Sequence, residues 1–303
     1  MDIKAQLSAL KARLQGRQVW RYYHFDEDHI TSPFKRVPLR QAMMVDDLRL
    51  MYLPIAKNAC SSLKTLVAEL SGMTLAPEQD IHAVLDHDPN RLVFLNRDDA
   101  DIHAALSAPD WMRFCVLRDP LDRLVSVYVE KFVKNRHAPG MRITCDPVLL
   151  RALNTWHLDD ADYDRGITFR TFAQDLLNEL PQRLDPHWRP QSLFLDHIPH
   201  THLYTVDMLG VLKSDLEAHL GTVLDLPHKN RVRLDKTGSQ SGACVADTLP
   251  GDLEAPEKID ISRFMDAPLR AQLSEYYAHD LTLFGLVAQH NDITGSGRIA
   301  PMS

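Results

Sequence analysis

Several features that would assign a function directly are missing from the sequence. Its four cysteines, Cys60, Cys115, Cys145 and Cys244, form no C-x-x-C pair and have no metal-ligand spacing. No apolar run is long enough to span a bilayer, and the first residues lack the charged-then-apolar pattern of a signal peptide. We therefore predict reduced thiols, no metal requirement and a cytoplasmic protein without a transmembrane segment.

Positive charge is also scarce. The 303 residues include 34 lysines and arginines against 41 aspartates and glutamates, a net charge of −7, which argues against nucleic acid as the partner. No Pro/Gly/Ser-rich linker and no internal repeat divides the chain. We predict one main domain over residues 46–289, with an N-terminal helical extension over 1–45 and a flexible tail over 290–303.

One stretch combines a strand, a short loop and a helix. Residues 48–55 are apolar and predict a strand, and the next segment, 57–64, reads KNACSSLK before helical apolar spacing sets in. A helix N-terminus attracts anions, and Lys57, Ser61 and Ser62 add a cation and two hydroxyls. The glycine pattern of a Walker P-loop is absent. Two interpretations stay open: a phosphate cradle, or a serine-capped helix beside a solvated lysine.

A second stretch repeats this arrangement. Residues 111–118, WMRFCVLR, predict a strand that ends at Arg118. Asp119 is a plausible N-cap, Pro120 suits the first helical position, and Ser126 lies two turns into the predicted helix. Ligands of open α/β sheets bind at the carboxyl ends of strands. Two such junctions, each with a cation, suit a nucleotide that carries phosphates at two places.

These motifs resemble the sulfotransferase superfamily, and specifically the carbohydrate sulfotransferase group often called family 2. Residues 57–64 resemble its 5′-phosphosulfate loop. Residues 118–128, RDPLDRLVSVY, running on to Lys131 and Phe132, resemble its 3′-phosphate motif. The segments HWRPQ and YYAHDLTLFG fit the same family; they span residues 187–191 and 276–285.

The chain departs from the family pattern in the first motif. Ala56 stands where the family usually has proline before the loop lysine, and Asn58 stands where an apolar residue is commoner. The shape of the loop is therefore open, whereas its charge is kept. Animal relatives are typically anchored in the Golgi membrane, and we expect this chain to be a soluble, cytoplasmic, bacterial version.

The resemblance implies an α/β, P-loop-like three-layer fold with a central, mainly parallel sheet flanked by helices. It also implies 3′-phosphoadenosine 5′-phosphosulfate (PAPS) as cofactor, and in-line transfer of its sulfuryl group to a hydroxyl of a carbohydrate or glycosylated acceptor. Lys57 is expected to stabilise the leaving group, and Arg118 and Ser126 to hold the 3′-phosphate. The expected cofactor-binding residues are Lys57, Asn58, Ala59, Cys60, Ser61, Ser62, Arg118 and Ser126.

Transfer to a hydroxyl calls for a general base with a pKa near neutrality, for which histidine is suited. From its distance ahead of the second motif we rank His87 first and His82 second. Asp86 and Asp88 flank His87 and could themselves be the base. An ordinary surface histidine is an equally good interpretation of either one.

The role of Trp188 and the class of the protein each admit more than one interpretation. Trp188, with its neighbour His187, is either a packed structural corner or a wall of the acceptor pocket. A small-molecule kinase would share the strand-loop-helix, but the Walker residues and an acidic metal ligand are not evident. A catalytically inactive nucleotide-binding protein fits the same motifs. The acceptor, a small molecule or a glycan, and the oligomeric state are left open.

Overall fold

A computed structural model of the chain describes residues 30–76, 78–86, 88, 91–225 and 242–299. The chain divides into two compact units. Of the described residues, the first, which we call the sheet unit, contains 30–120, 189–225 and 278–299. The second, the helical unit, contains 121–188 and 242–277. The helix predicted near the N-terminus lies outside the described residues.

The described residues form four strands and eleven α-helices. The strands are β1 (Met43–Val45), β2 (Leu50–Leu53), β3 (Met112–Leu117) and β4 (His202–Thr205). The helices are α1 (Cys60–Leu70), α2 (Ile81–Asp86), α3 (Asp99–Ser107), α4 (Pro120–Tyr128), α5 (Pro139–Ala152), α6 (Asp160–Arg165), α7 (Phe169–Leu177), α8 (Ser192–Leu195), α9 (Leu209–Leu220), α10 (Ala267–Tyr276) and α11 (Ala278–Thr294). None of these helices combines the length and hydrophobicity needed to cross a membrane.

The four strands form one sheet in the order β1-β2-β3-β4. The pairs β2–β3 and β3–β4 are parallel, and β1 runs antiparallel to β2. In the parallel pairs, Leu53 lies opposite Cys115, and Leu117 lies opposite Thr205. The predicted α/β fold with a mainly parallel sheet is confirmed. The carboxyl ends of β2, β3 and β4 therefore share one edge of the sheet.

Both faces of the sheet are covered by apolar helix faces, as the almost uninterrupted apolar sequences of the strands require. Successive strand residues point to opposite faces. One face packs mainly against α1 and α9 through Leu50, Tyr52, Phe114, Val116, Tyr204, Leu63, Leu66, Leu212 and Leu216. The other packs against α3, α8 and α11 through Met51, Leu53, Cys115, Leu117, Ile102, Phe194 and Val287. The predicted three-layer arrangement follows from these two cores.

The helical unit has a core of stacked and edge-on aromatic rings. Phe172 packs against Phe132 and edge-on against Trp188, with ring centroids 4.8 and 5.3 Å away. The hydroxyl of the buried Tyr128 donates to the Ile167 carbonyl (2.9 Å), so its burial leaves no donor unpaired. The Thr168 side chain caps α7.

The structure differs from the predicted boundaries at both ends. Residues 43–45, assigned to the helical extension, form β1 because they pair with β2. Toward the other end, α10 stops at Tyr276 and α11 begins at Ala278. Past residue 289, α11 continues to Thr294, and the Ile299 amide donates to the Thr201 carbonyl (2.9 Å). Residues 290–299 are therefore attached to the sheet unit, unlike the flexible tail predicted there.

Phe114 tests how much the central strand contributes to stability. Its fully buried ring stacks on Tyr52 with a centroid distance of 4.8 Å and meets Tyr204 edge-on. We expect Phe114→Ala to lower the free energy of unfolding by about 3–5 kcal/mol, because the cavity cannot close in a sheet covered on both faces. Urea denaturation measures this loss. Leu286→Ala, at a 61% exposed position, is the control and should change stability by about 0.5 kcal/mol or less.

Candidate anion-binding site

The loop between β2 and α1 has an uncommon backbone. Lys57 and Ala59 both have positive φ angles, 71° and 59°, on either side of Asn58, whose φ is not positive. Residues with a Cβ atom avoid this left-handed region at a cost of about 1–2 kcal/mol each. Alternation between left-handed and right-handed conformations turns successive backbone N–H groups toward one concavity, a known anion-binding geometry.

The N-terminus of α1 is capped by no side chain. The capping position is Ala59, and it makes no side-chain hydrogen bond to the helix. The interpretation in which Ser61 or Ser62 caps the helix is therefore wrong, because both lie inside it. The first N–H groups of a helix carry partial positive charge and have no acceptor within the helix. The cradle interpretation of residues 57–62 agrees with this geometry.

The second junction lies beside the first. β3 ends at Leu117, and Arg118 follows at the same edge of the sheet as the Lys57 loop. The guanidinium Nη1 of Arg118 donates to the Lys57 carbonyl at 3.2 Å. The two cations that the sequence singled out thus belong to segments in direct contact. Parallel pairing of β2 with β3 produces this proximity.

A buried glutamine connects the two junctions, and the sequence had not identified it. Gln191 Oε1 accepts hydrogen bonds from Asn58 Nδ2 (2.5 Å) and the Arg118 amide (3.0 Å). Its Nε2 donates to the Arg118 carbonyl (2.7 Å). The sequence signal for this role was weak: Gln191 is the last residue of the HWRPQ segment, whose interpretations were a structural corner or a wall of the acceptor pocket.

His82 lies next to the start of α1. Its Nε2 is 3.1 Å from Ser61 Oγ, and its Nδ1 is 3.3 Å from Lys64 Nζ. Because an ammonium group only donates, Nδ1 accepts from Lys64, and Nε2 carries the ring proton and donates to Ser61. Both ring nitrogens are thus engaged. His82 would have to leave this arrangement to act as a base.

Lys64 and His82 also act on the neighbouring thiol. Lys64 is 3% exposed, and this burial lowers its pKa. For Cys60 burial opposes ionisation, but the neighbouring His82 side chain and the charge of Lys64 outweigh it and lower its pKa to about 7. A cysteine at the first turn of a helix, beside cations, is the usual setting of a reactive thiolate.

The other candidates for the general base are His87, Asp88 and Asp86. His87 lies outside the described residues. Asp88 is buried, and its carboxylate accepts from the amides of Leu92 and Val93, a structural role. Asp86 is exposed at the end of α2. The assignment of His87 or His82 as the base stays a prediction.

The helical unit contains the other predicted site residues. Ser126 is buried within α4. His187 Nδ1 lies 2.6 Å from the buried Asp185 carboxylate, and Trp188 packs in the aromatic core. These contacts agree with the structural-corner interpretation of His187 and Trp188. Among the described residues, no cluster of side chains suits a metal ion.

The reactivity of Cys60 tests the cluster at the start of α1. With the exposed Cys244 replaced by serine, iodoacetamide should alkylate Cys60 with a pH midpoint near 7, whereas Cys145, whose pKa burial raises to about 12, stays unreactive. His82→Ala should raise the midpoint, and an increase of one pKa unit from 7 would lower the thiolate fraction at pH 7 about fivefold. Peptide mass mapping locates the label. A wild-type midpoint at or above 9 contradicts the prediction.

The chain is similar in sequence to several carbohydrate sulfotransferases. Carbohydrate sulfotransferase 10 of Danio rerio is 23% identical over 291 residues, which cover 92% of this chain and 73% of that protein. Carbohydrate sulfotransferase 14 of Danio rerio is 29% identical over 160 residues, and that of Homo sapiens is 27% identical over 156. Each of these two matches covers 52% of this chain, but only 42% and 39% of the respective relative.

No solved structure gives a significant match. The family model that does match, described as the sulfotransferase family, covers residues 40–286 and so contains β1 to β4 and both junctions. The chain belongs to the sulfotransferase family.

Proposed function

We propose that the chain transfers the sulfuryl group of PAPS to a hydroxyl of a carbohydrate or glycosylated acceptor. The observation that carries this proposal is the contact between the Lys57 loop and Arg118 at one edge of a parallel sheet. It supplies two cationic segments side by side in a chain of the sulfotransferase family. A cofactor with anionic groups on both its 5′ and 3′ sides requires two such segments.

The residues present fit this cofactor. The uncapped start of α1 and the left-handed residues Lys57 and Ala59 offer backbone N–H groups to the phosphosulfate, with Ser61 and Ser62 contributing hydroxyls. Asn58 and Cys60 complete this loop. Arg118, and Ser126 by its place in the 3′-phosphate motif, would hold the 3′-phosphate, since a guanidinium pairs well with phosphate.

Our proposed mechanism relies on charge stabilisation and positioning. PAPS supplies a sulfuryl group on a phosphate leaving group. Lys57 neutralises the negative charge that grows on the bridging oxygen as the S–O bond breaks. The acceptor oxygen forms the new bond to sulfur on the opposite side, and a base, His87 or His82, takes its proton.

The acceptor class rests on the relatives. Those reported above are named carbohydrate sulfotransferases, which supports a sugar hydroxyl as the acceptor here. A cytoplasmic location is also proposed, on the cysteine pattern of the sequence and the free state of all four thiols.

Thermal unfolding with adenosine 3′,5′-bisphosphate tests the cofactor class. At a hundred times its dissociation constant, this ligand should stabilise the wild type by about 2.7 kcal/mol, and ADP and ATP should do so less. Arg118→Ala should abolish the preference for the bisphosphate, because it removes a partner of the 3′-phosphate. Arg270→Ala, an exposed arginine in α10, is the matched control and should keep it. Equal stabilisation by ATP would sink the PAPS proposal.

The base is tested by kinetics. With PAPS and an acceptor identified from a glycan panel, His87→Ala should lower kcat about a hundredfold or more while the bisphosphate affinity stays unchanged. His82→Ala should have the smaller effect on kcat, since its ring nitrogens contact Lys64 and Ser61. Sulfated product is followed by mass spectrometry. If neither variant slows turnover, neither histidine is the base.

A further inference from the structure

Three buried polar side chains of the sheet unit form one connected network. Asn58, Gln191 and Asp280 are 0%, 1% and 2% exposed. Asn58 lies in the anion-binding loop, Gln191 directly precedes α8, and Asp280 lies in the first turn of α11. Burial of such groups is costly unless their hydrogen bonds are made, so their arrangement calls for a physical explanation.

The orientation of the two amides is fixed by their neighbours. Asn58 Nδ2 faces two acceptors, the Val116 carbonyl at 2.9 Å and Gln191 Oε1 at 2.5 Å. A flipped Asn58 would place its oxygen against both of them. Gln191 likewise meets the amide of Arg118 with its oxygen and the carbonyl of Arg118 with its nitrogen. In this orientation the buried acceptor Asn58 Oδ1 has no hydrogen-bond partner in the described structure.

Asp280 holds Gln191 in turn. Its two carboxylate oxygens accept from the backbone amides of Gln191 (2.5 Å) and Ser192 (2.9 Å). The carboxylate thereby satisfies the free N–H groups at the start of α8, as a helix cap does. Two bonds to a charged acceptor fix the backbone position from which the Gln191 side chain extends.

We propose that Gln191 is a positioning residue that fixes the Lys57 loop against Arg118, so that both segments stand in their binding geometry before the cofactor arrives. Its side chain bonds both to the loop, through Asn58, and to the backbone of Arg118. The strained conformation of Lys57 and Ala59 needs such external support. Preorganised groups bind more tightly because less ordering remains to be done on binding.

The benefit of this positioning for cofactor binding rests on the proposed function. The experiment therefore measures the positioning and the binding separately. Hydrogen exchange measures whether residues 56–60 and 117–119 are held in place, without any ligand. Calorimetry with adenosine 3′,5′-bisphosphate measures what the positioning does for binding. A wild type that fails to bind this ligand refutes the PAPS proposal, while the exchange data still decide the role of Gln191.

Gln191→Leu is the main variant, because leucine fills a similar volume and makes none of the three side-chain bonds. Gln191→Glu is the conservative one: it keeps an acceptor for the Arg118 amide and for Asn58 Nδ2. Asn291→Leu is the matched control. Asn291 is a buried amide that bonds the β4 backbone at Leu203 and Thr205 but neither anion-binding segment. It reports the cost of losing a buried amide elsewhere in the sheet unit.

At a temperature well below the melting temperature of the variant, we expect Gln191→Leu to raise hydrogen exchange in both segments and to weaken bisphosphate binding about tenfold. Gln191→Glu should recover part of both effects. Asn291→Leu should lower the melting temperature without changing either readout. Unchanged exchange in both segments in Gln191→Leu overturns the proposal, and so does an equal loss of affinity in Asn291→Leu, which would reveal only general destabilisation.

Discussion

Parallel pairing of β2 with β3 is the constraint on which the candidate site depends. Parallel strands place their carboxyl ends at one edge, so the segments that follow Leu53 and Leu117 become neighbours although they are distant in sequence. Each segment contributes a cation, Lys57 or Arg118, and the two meet through a side-chain to backbone hydrogen bond. An anion with groups at two places can thus be held by side chains that neither strand alone would bring together.

The sheet and its two junctions could be predicted because each signal is local. Apolar runs that end in a cation identified β2 and β3, and the motif around Arg118 specified the family. The missed features depend on contacts between distant residues. β1 exists because it pairs with β2, and residues 290–299 are attached through a backbone bond to Thr201. Sequence patterns do not report such pairings, and they gave the wrong helix cap because Ala59 occupies the position expected for a serine.

Electrostatics at the start of α1 also depends on residues far apart in the chain. Lys64 lies one turn after Cys60 in the same helix, whereas His82 lies in α2 and contacts both Lys64 and Ser61. The same contacts offset the burial that opposes ionisation of the Cys60 thiol. A motif that is read only as a run of small residues misses this coupling, since the second element supplies the group that decides the pKa.

The two units use burial in different ways. The helical unit surrounds Phe172 with apolar rings, which stabilise through area and packing. The sheet unit buries Asn58, Gln191 and Asp280, and their side chains bond the backbone of Val116, Arg118 and Ser192. Such bonds satisfy buried backbone groups, and they are directional, which a loop that must hold Lys57 and Ala59 in left-handed conformations needs.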